Sequence, residues 1–541
     1  MSNFVWKLLS KKKFPAGCDP QQIADLLLSN RGIKGKIENF FNLKLSDVLN
    51  FKIDGLAKGV ARVKKAIKKN EKIVVFADYD ADGICGTAIL WELLYSLRLD
   101  CLPYVPHRVT EGYGLNIEAI EKLKNEGVKL IITVDHGISA AGEIEFAKRE
   151  GIDVVVTDHH SKPKKLPAPA ALVHTTKLSG AGVAFCFAYA LAKDFGRESE
   201  IMEKLDLAAI ATIADLVPLT SYNRTIVKLG LEKLNQTRRP GLLALFAQTG
   251  LFPGQIGERD VSHVLVPLIN VSGRLESAIF SLRLLCTQSP IQARELAQQL
   301  ASLNSQRQEM VAAAVGKARN TVVANSSIGV LVDDWHEGII GLVASKMVDE
   351  FARPMIVIAK GKKFSKGSAR SVASWNIVET LRSVSDLLVD IGGHPAAAGF
   401  TIETQKISLF QKRIENLAPN LGSSPNERSV LEIDCQIDIK NITLKLFQLL
   451  EKFRPFGVDN PPPLFLTANV LVQDSRIVGQ DGSHLKLKVA GFDAIAFGQA
   501  KSFGETSPGD KVDLVYTVEL DTFANHQKLQ LKVKDLKTSK D

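Results

Sequence analysis

The stretch FADYDADGICG, Phe76–Gly86, decides the fold. It continues the apolar run Ile73–Phe76, and three aspartates, Asp78, Asp80 and Asp82, then occupy alternate positions before a glycine. An apolar run of this length, with β-branched residues, reads as a buried strand. At its end a glycine lets the backbone curl, so that several carboxylates converge. Converging carboxylates repel one another and stay ionised together only when cations hold them.

The neighbouring sequence supplies the rest of a sheet. Gly59–Asn70 reads as a helix, Lys72–Asp78 as a strand and Gly86–Leu97 as a helix. Glu118–Gly127 reads as a helix, Lys129–Asp135 as a strand, Ala141–Gly151 as a helix and Ile152–Asp158 as a strand. Such alternation argues for an α/β fold with a parallel sheet covered on both faces. The three strands end in Asp78, Asp135 and Asp158. Ligands of such sheets sit beyond the carboxyl ends of the strands, so three acidic ends on one rim form a candidate site.

Further candidate ligands are His159 and His160 in TDHH, and Asp215 in IADLVPL after another apolar run. An aspartate after a strand also commonly caps the next helix, and Asp215 has that reading open to it. His136, beside Asp135, reads as a solvated or hydrogen-bonded histidine rather than a ligand. A set rich in aspartate, with histidine and no cysteine, suits Mn²⁺ or Mg²⁺ better than thiolate-bound zinc. So many carboxylates favour two ions, which about 3.5 to 4 Å apart can clamp a phosphoryl group during in-line attack.

The whole chain divides into five parts. Residues 1–50 read as a helical N-terminal segment and 51–277 as the sheet domain. A long helix is expected over 278–322, linking to a second α/β domain over 323–420 that closes on IGGHPAAAGF. From 430 to 541 short alternating strands read as a β-barrel, after a loop-like boundary at Leu417–Glu427. Lys486 and Lys488, then Lys528, Lys532 and Lys534, alternate with apolar residues there. That is either a basic groove tracking phosphates or lysines guarding an edge strand.

With 541 residues the chain needs several cores. Lys and Arg number 68 against 59 Asp and Glu, so the net charge is 68 − 59 = +9, a modest excess that fits an anionic partner. The six cysteines, Cys18, Cys85, Cys101, Cys186, Cys286 and Cys435, form no CxxC pair, which argues against a zinc knuckle or disulfide framework and for a cytoplasmic location. No apolar run is long enough to predict a membrane helix.

The ordered motifs DYDADG, TVDHGIS, TDHH and IADLVPL resemble those of the DHH phosphoesterase superfamily. Within it, the chain resembles the RecJ family of bacterial single-strand-specific DNA exonucleases. The likeness extends through PHRVTEGYGLN, LSGAGVAF, INVSGRL, WHEGIIGLVASK, KGSARS, GGHPAAAG and FRPFGVDNPPPLF, over nearly the whole chain. It implies 5′-to-3′ hydrolysis of single-stranded DNA to nucleotide monophosphates, in repair and recombination. It implies Mn²⁺ or Mg²⁺ on Asp78, Asp80, Asp82, Asp135, His159 and Asp215, with Asp135 between two ions and His160 facing the scissile phosphate. Arg274, Ser368 and Arg370 would hold the 5′-terminal phosphate, Arg108 would reach the substrate backbone, Tyr113 would stack on a base or narrow the entrance, and His394 would contact substrate. For Arg370 a structural ion pair, and for Tyr113 simple packing, are the plainer readings. The likeness also makes the second domain a DHH-associated domain and the barrel an oligonucleotide-binding (OB) fold. A helicase and a single-strand-binding protein are the expected suppliers of substrate, and the all-in-one architecture favours a monomer.

The chain departs from the family pattern at Val173–Thr175, where the family usually has an asparagine-proline pair, and in the short segment after TDHH. VLVPL also stands before INVSGRL, where the family often has an arginine before the asparagine. These bear on substrate contacts and leave the metal set intact. The rival readings are a DHH phosphodiesterase of short oligonucleotides or nucleotide phosphates, a cyclic-dinucleotide phosphodiesterase with sensor or membrane segments, and a binding module that has lost its acidic ligands.

Overall fold

A computed structural model describes residues 4–33, 38–321, 327–372, 374–417, 429–521 and 528–539. The chain divides into two compact units: Leu45–Val217 with Thr225–Glu427, and Met1–Lys44 with Pro218–Arg224 and Arg428–Asp541.

The larger unit opens with a five-stranded parallel sheet in the order Cys101–Tyr104, Lys72–Ala77, Val128–Val134, Asp153–Asp158, Ala171–His174. Its central strands are apolar on both sides because helices cover both faces, as parallel sheets require. Helices Ile117–Asn125 and Ala141–Arg149 pack on Val74, Phe76, Ile131, Val154 and Val156. Helices Ala81–Ser96 and Gly180–Lys193 pack on each other and on the sheet strands. The turns into three of these helices are capped by Asp80, Asn116 and Ser179, each accepting hydrogen bonds from first-turn N–H groups.

The linking helix runs from Pro290 to Thr321, 32 residues and about 48 Å long. It is shorter than the expected 278–322: Ile279–Cys286 is a separate helix, and Thr287 is extended just before Pro290 opens the next one. The second sheet of this unit has the order Leu388–His394, Ala397–Glu403, Phe364–Arg370, Met355–Ala359, Gly329–Asp333. Its last pair is parallel and the others antiparallel.

In the smaller unit the strand order is His484–Val489, Phe492–Ala496, Lys528–Thr538, Lys511–Asp521, Phe465–Val478, Cys435–Ile437, Lys13–Phe14. His484–Val489 also pairs with Phe465–Val478, which closes five strands into a barrel and removes its edges. The first 50 residues carry the helices expected, Pro20–Asn30, Glu38–Phe41 and Leu45–Leu49, and also two strands that were not expected. Phe4–Leu8 pairs in parallel with Ser429–Ile433, and Lys13–Phe14 with Cys435–Ile437. Helix Pro20–Asn30 buries Ile23, Leu27 and Leu28 in the barrel core. These partners lie more than 400 residues away in sequence, beyond the reach of local periodicity. The loop expected after Leu417 lies outside the described residues.

Candidate metal centre and cleft

The rim formed by the carboxyl ends of the first sheet gathers the acidic residues. Asp78 follows Lys72–Ala77, Asp135 follows Val128–Val134, and Asp158 ends its strand, all on adjacent strands. Asp135 sits at φ 67°, a left-handed conformation that costs energy in a non-glycine residue and concentrates at functional sites.

Each carboxylate is aimed by backbone. Asp78 Oδ1 accepts from Tyr79 N at 2.6 Å. Asp80 caps helix Ala81–Ser96, its Oδ1 accepting from Asp82 N and Gly83 N at 2.9 and 3.0 Å. That helix is held further by Asn270 Oδ1, which accepts from Ala81 N at 2.7 Å. Asp82 is buried against the start of helix Gly180–Lys193, where Gly180 N and Ala181 N donate to its two oxygens at 2.7 and 2.8 Å. A helix N-terminus is a favourable seat for a carboxylate. Gly180 is required there, since a Cβ would lie 2.4 Å from Asp135 Oδ1.

Three sets of side chains bring ligand atoms within 4.8 Å of one another: Asp78, Asp80 and Asp135; Asp82, His159 and Asp215; and Asp135, His159 and His160. Asp135 belongs to the first and third sets, and His159 joins the third to the second. His159 Nε2 lies 3.1 Å from Asp135 Oδ1, 3.4 Å from Asp215 Oδ2 and 3.9 Å from Asp82 Oδ2. Asp135 Oδ1, His159 Nε2 and Asp215 Oδ2 are buried and have no hydrogen-bond partner. Burial, then the neighbouring carboxylates, pushes Asp78, Asp82 and Asp135 well above the ordinary range. Asp215 is pushed up to about 7 by burial and by Asp80 and Asp78. Burial and His160 pull His159 down to about 4, leaving its imidazole neutral. Buried oxygens without partners, mutual repulsion and a neutral imidazole are what a site for hard divalent cations presents, so the residues fit such ions.

Asp215 lies just after helix Leu205–Ala214, so it is no N-terminal cap, and its side chain faces His159. Asp158, a ligand candidate by position, is consumed otherwise. Its Oδ1 accepts from His159 N at 2.7 Å and His160 N at 3.1 Å and bonds His160 Nδ1 at 2.8 Å, while Oδ2 accepts from Ile138 N at 2.8 Å. Burial alone would raise Asp158; these bonds, led by His160, hold it well below the carboxylate range. Burial in turn lowers His160, and Asp158 more than reverses it. His174 Nε2 donates to His160 O at 2.7 Å, so the departure at Val173–Thr175 places an imidazole behind the histidine turn. His136 is buried, bonds Phe76 O at 3.0 Å and is pulled by burial to about 4, so of its two readings it is the hydrogen-bonded and not the solvated one.

A cleft of about 890 Å³ opens on these residues. Asp78, Asp80, Tyr79, Tyr113 and His160 line one side, and Arg382, Gly392, Gly393 and His394 the other. Tyr113 is 54% exposed, its ring edge-on to Tyr79 at 6.0 Å, so it is a cleft wall rather than core packing. Arg108 lies 4.9 Å over the Tyr79 ring. Arg370 Nη1 donates to Ser368 Oγ at 3.1 Å and Ala369 O at 2.9 Å, and Arg274 Nη1 to Gly338 O at 3.4 Å. Sequence reasoning missed Asn270, the Gly180–Ala181 seat, the orienting role of Asp158, and His174. LSGAG, a serine cap before an apolar run, was the available signal for the seat. In the barrel unit Lys532 pairs with Glu519 at 3.2 Å and Lys486 with Asp493 at 3.8 Å, so that face is not uniformly basic.

The fold and the acidic rim are those of DHH phosphoesterases: the DHH family N-terminal domain matches residues 72–213 and the DHHA1 domain residues 320–419. The RecJ OB domain matches residues 433–535. The chain is 34% identical to the single-stranded-DNA-specific exonuclease RecJ of Thermus thermophilus, over 90% of its own length and 71% of that protein. It is 36% identical to the Bacillus subtilis RecJ, covering 92% of this chain and 66% of that protein, and 30% identical to that of Escherichia coli, covering 90% of each. Crystal structures of Thermus thermophilus RecJ superpose with TM-scores of 0.86 (complex with Mn²⁺, 30% identity) and 0.79 (complex with Mg²⁺, 28% identity). They cover all of this chain and 80% and 79% of those chains. The chain belongs to the RecJ family.

Proposed function

We propose that this chain is a metal-dependent exonuclease that degrades single-stranded DNA from its 5′ end, releasing nucleotide monophosphates. One observation carries the reading: a cluster of carboxylates with buried, unpartnered oxygens faces a cleft that Arg382 and His394 also line. We assign two Mn²⁺ or Mg²⁺ ions to Asp78, Asp80, Asp82, Asp135, His159 and Asp215, with Asp135 between them. Bound there, such ions supply Lewis-acid stabilisation of phosphoryl oxygens and an activated water.

The chain's own groups do the rest. Arg274, Ser368 and Arg370 hold the 5′-terminal phosphate, since guanidinium forks match phosphate oxygens. Arg108 holds the strand, Tyr113 walls the entrance, and His394 contacts the nucleotide from the opposite side. The phosphodiester after the first nucleotide then lies at the acidic rim. His160, oriented by Asp158, stabilises the phosphoryl charge and supports departure of the 3′ oxygen. A water oxygen bonds to the phosphorus as the bond to that 3′ oxygen breaks and the 3′ oxygen takes up a proton, so the shortened strand carries a new 5′ phosphate and re-enters the anchor. We assign residues 51–277 to the DHH domain, 323–420 to the DHH-associated domain and the barrel to collecting single strands. A helicase and a single-strand-binding protein supply those strands to a cytoplasmic monomer; six free cysteines fit a reducing compartment.

The test is digestion of end-labelled DNA by the full chain with Mn²⁺, on single strands, blunt duplexes and oligomers of two to five nucleotides. Loss of single strand from the 5′ end with duplex spared is expected. Activity confined to the short oligomers would replace this reading with that of an oligonucleotide phosphodiesterase.

A further inference from the structure

The turn that carries His159 and His160 is gripped from two sides, and the Asp158 carboxylate is one of them. Asp158 holds the donors of the turn: His159 N, His160 N and the His160 ring at Nδ1. The acceptor of the same turn is the His160 carbonyl, and His174 Nε2 stands 2.7 Å from it. A carbonyl only accepts, so His174 carries a proton on Nε2.

His174 is itself fixed. It is buried, 4% exposed, and ends the edge strand Ala171–His174 in register with Asp158 on the neighbouring strand. Its backbone N–H donates to Asp54 O at 3.2 Å. The segment around Asp54 lies directly against this strand: a Cβ on Gly55 would stand 1.9 Å from Leu172 O. The His159 ring has a separate hold, a hydrogen bond to the Leu178 carbonyl, and its Nε2 faces Asp135 and Asp215 at 3.1 and 3.4 Å. Loss of the His174 imidazole would therefore free the His160 carbonyl and leave the contacts of His159 in place.

We propose that His174 is a positioning residue for His160: by holding the His160 carbonyl it fixes the backbone from which that ring projects. The inference rests on the role given to His160 above. A ring bonded only at Nδ1 can still pivot when its backbone moves. With the N–H, the carbonyl and the ring of one residue all held, it meets the phosphoryl group at one angle. A displacement of about 1 Å at such a group costs roughly 10²-fold in rate. His174 lies in the window Val173–Thr175 where the chain departs from the family pattern, so this hold is written in the chain's own sequence.

The experiment is a double-mutant cycle of His174→Leu and His160→Ala in the full chain, with kcat and KM on one single strand and Mn²⁺ affinity by calorimetry. His174→Leu removes the donor and keeps most of the volume. It should lower kcat by about tenfold to 10²-fold, with KM and Mn²⁺ affinity unchanged. His174→Gln can present an amide N–H to the same carbonyl and should recover most of the loss. In the His160→Ala background, His174→Leu should lower kcat no further, because the two residues act as one unit. His174→Met, apolar and more adaptable in shape, takes the place of His174→Leu if the latter does not fold. Unaltered kcat without the donor overturns the proposal. So does the same fold-loss in both backgrounds, a loss of Mn²⁺ affinity that accounts for the fall, or a His174→Gln as slow as His174→Leu. Unaltered kcat in His160→Ala alone overturns the role of His160 itself, and the proposal with it.

Discussion

Replacing Gly180 by alanine tests whether the seat of the acidic cluster controls catalysis. The added Cβ would stand 2.4 Å from Asp135 Oδ1, 2.5 Å from its Cβ and 2.6 Å from its Cγ, where ordinary contact begins at 3.4 Å. Asp135 must therefore retreat by about 1 Å, or helix Gly180–Lys193 must shift and release Asp82 from its two N–H donors. Overpacking of this kind costs about 1–3 kcal/mol of stability. A displacement of about 1 Å in a catalytic array costs roughly 10²-fold in rate. The assay follows Mn²⁺-dependent hydrolysis of a 5′-phosphorylated single strand, with Mn²⁺ affinity by calorimetry and Tm by scanning calorimetry. The expected result is a folded protein with about 10²-fold lower kcat and weakened Mn²⁺ binding. Gly182→Ala is the control: its Cβ would meet Leu178 Cβ at 3.1 Å, away from the carboxylates, and most activity should remain. Unaltered kcat and Mn²⁺ affinity in folded Gly180→Ala would refute the reasoning.

Asp158→Asn should reduce kcat by about 10² to 10⁴ by freeing His160, the usual range for a general acid–base group, while Mn²⁺ stoichiometry stays the same; lost stoichiometry would make Asp158 a ligand after all. Away from the site, Glu92 is buried between Lys204 and Arg239, with Arg239 Nη2 at 3.2 Å. Burial alone would raise Glu92, but Arg239 and Lys204 bring it below its ordinary 4.5. Its folded value is the depressed one, so its contribution to stability is complete above pH 4.5 and is lost as pH falls through the folded value. Glu92→Gln should cost about 3–5 kcal/mol at pH 7 by leaving two buried cations unpaired, and should flatten the loss of stability in acid. Denaturant unfolding at pH 7 and below pH 4.5 checks both, and an unchanged acid slope would contradict the assignment.

The acidic strand ends were legible because local pattern and chemistry coincide there: Ile73–Phe76 is apolar on both faces, and Asp78, Asp80 and Asp82 sit where such a strand must turn. The parallel sheet and the barrel strands were legible for the same reason. What pairs at long range was not. Phe4–Leu8 and Lys13–Phe14 become strands only because Ser429–Ile433 and Cys435–Ile437 lie beside them. Asp158 stands at a strand end like Asp78 and Asp135, and only the turn through Ile138 and His160 makes it an orienter. Arg307 sits in a helix rich in Ala, Gln and Arg, where no local feature separates it from exposed Arg294. Its Nε is nonetheless buried without a partner.

The central claim is that the rim holds two catalytic cations with Asp135 between them. Calorimetric titration of Mn²⁺ into the full chain and into Asp135→Ala, with hydrolysis measured on the same samples, tests it most directly. The account predicts two ions per chain, weakened binding in the variant, and no detectable hydrolysis by it. Appreciable Mn²⁺-dependent turnover by Asp135→Ala, or unaltered binding of both ions, would contradict it.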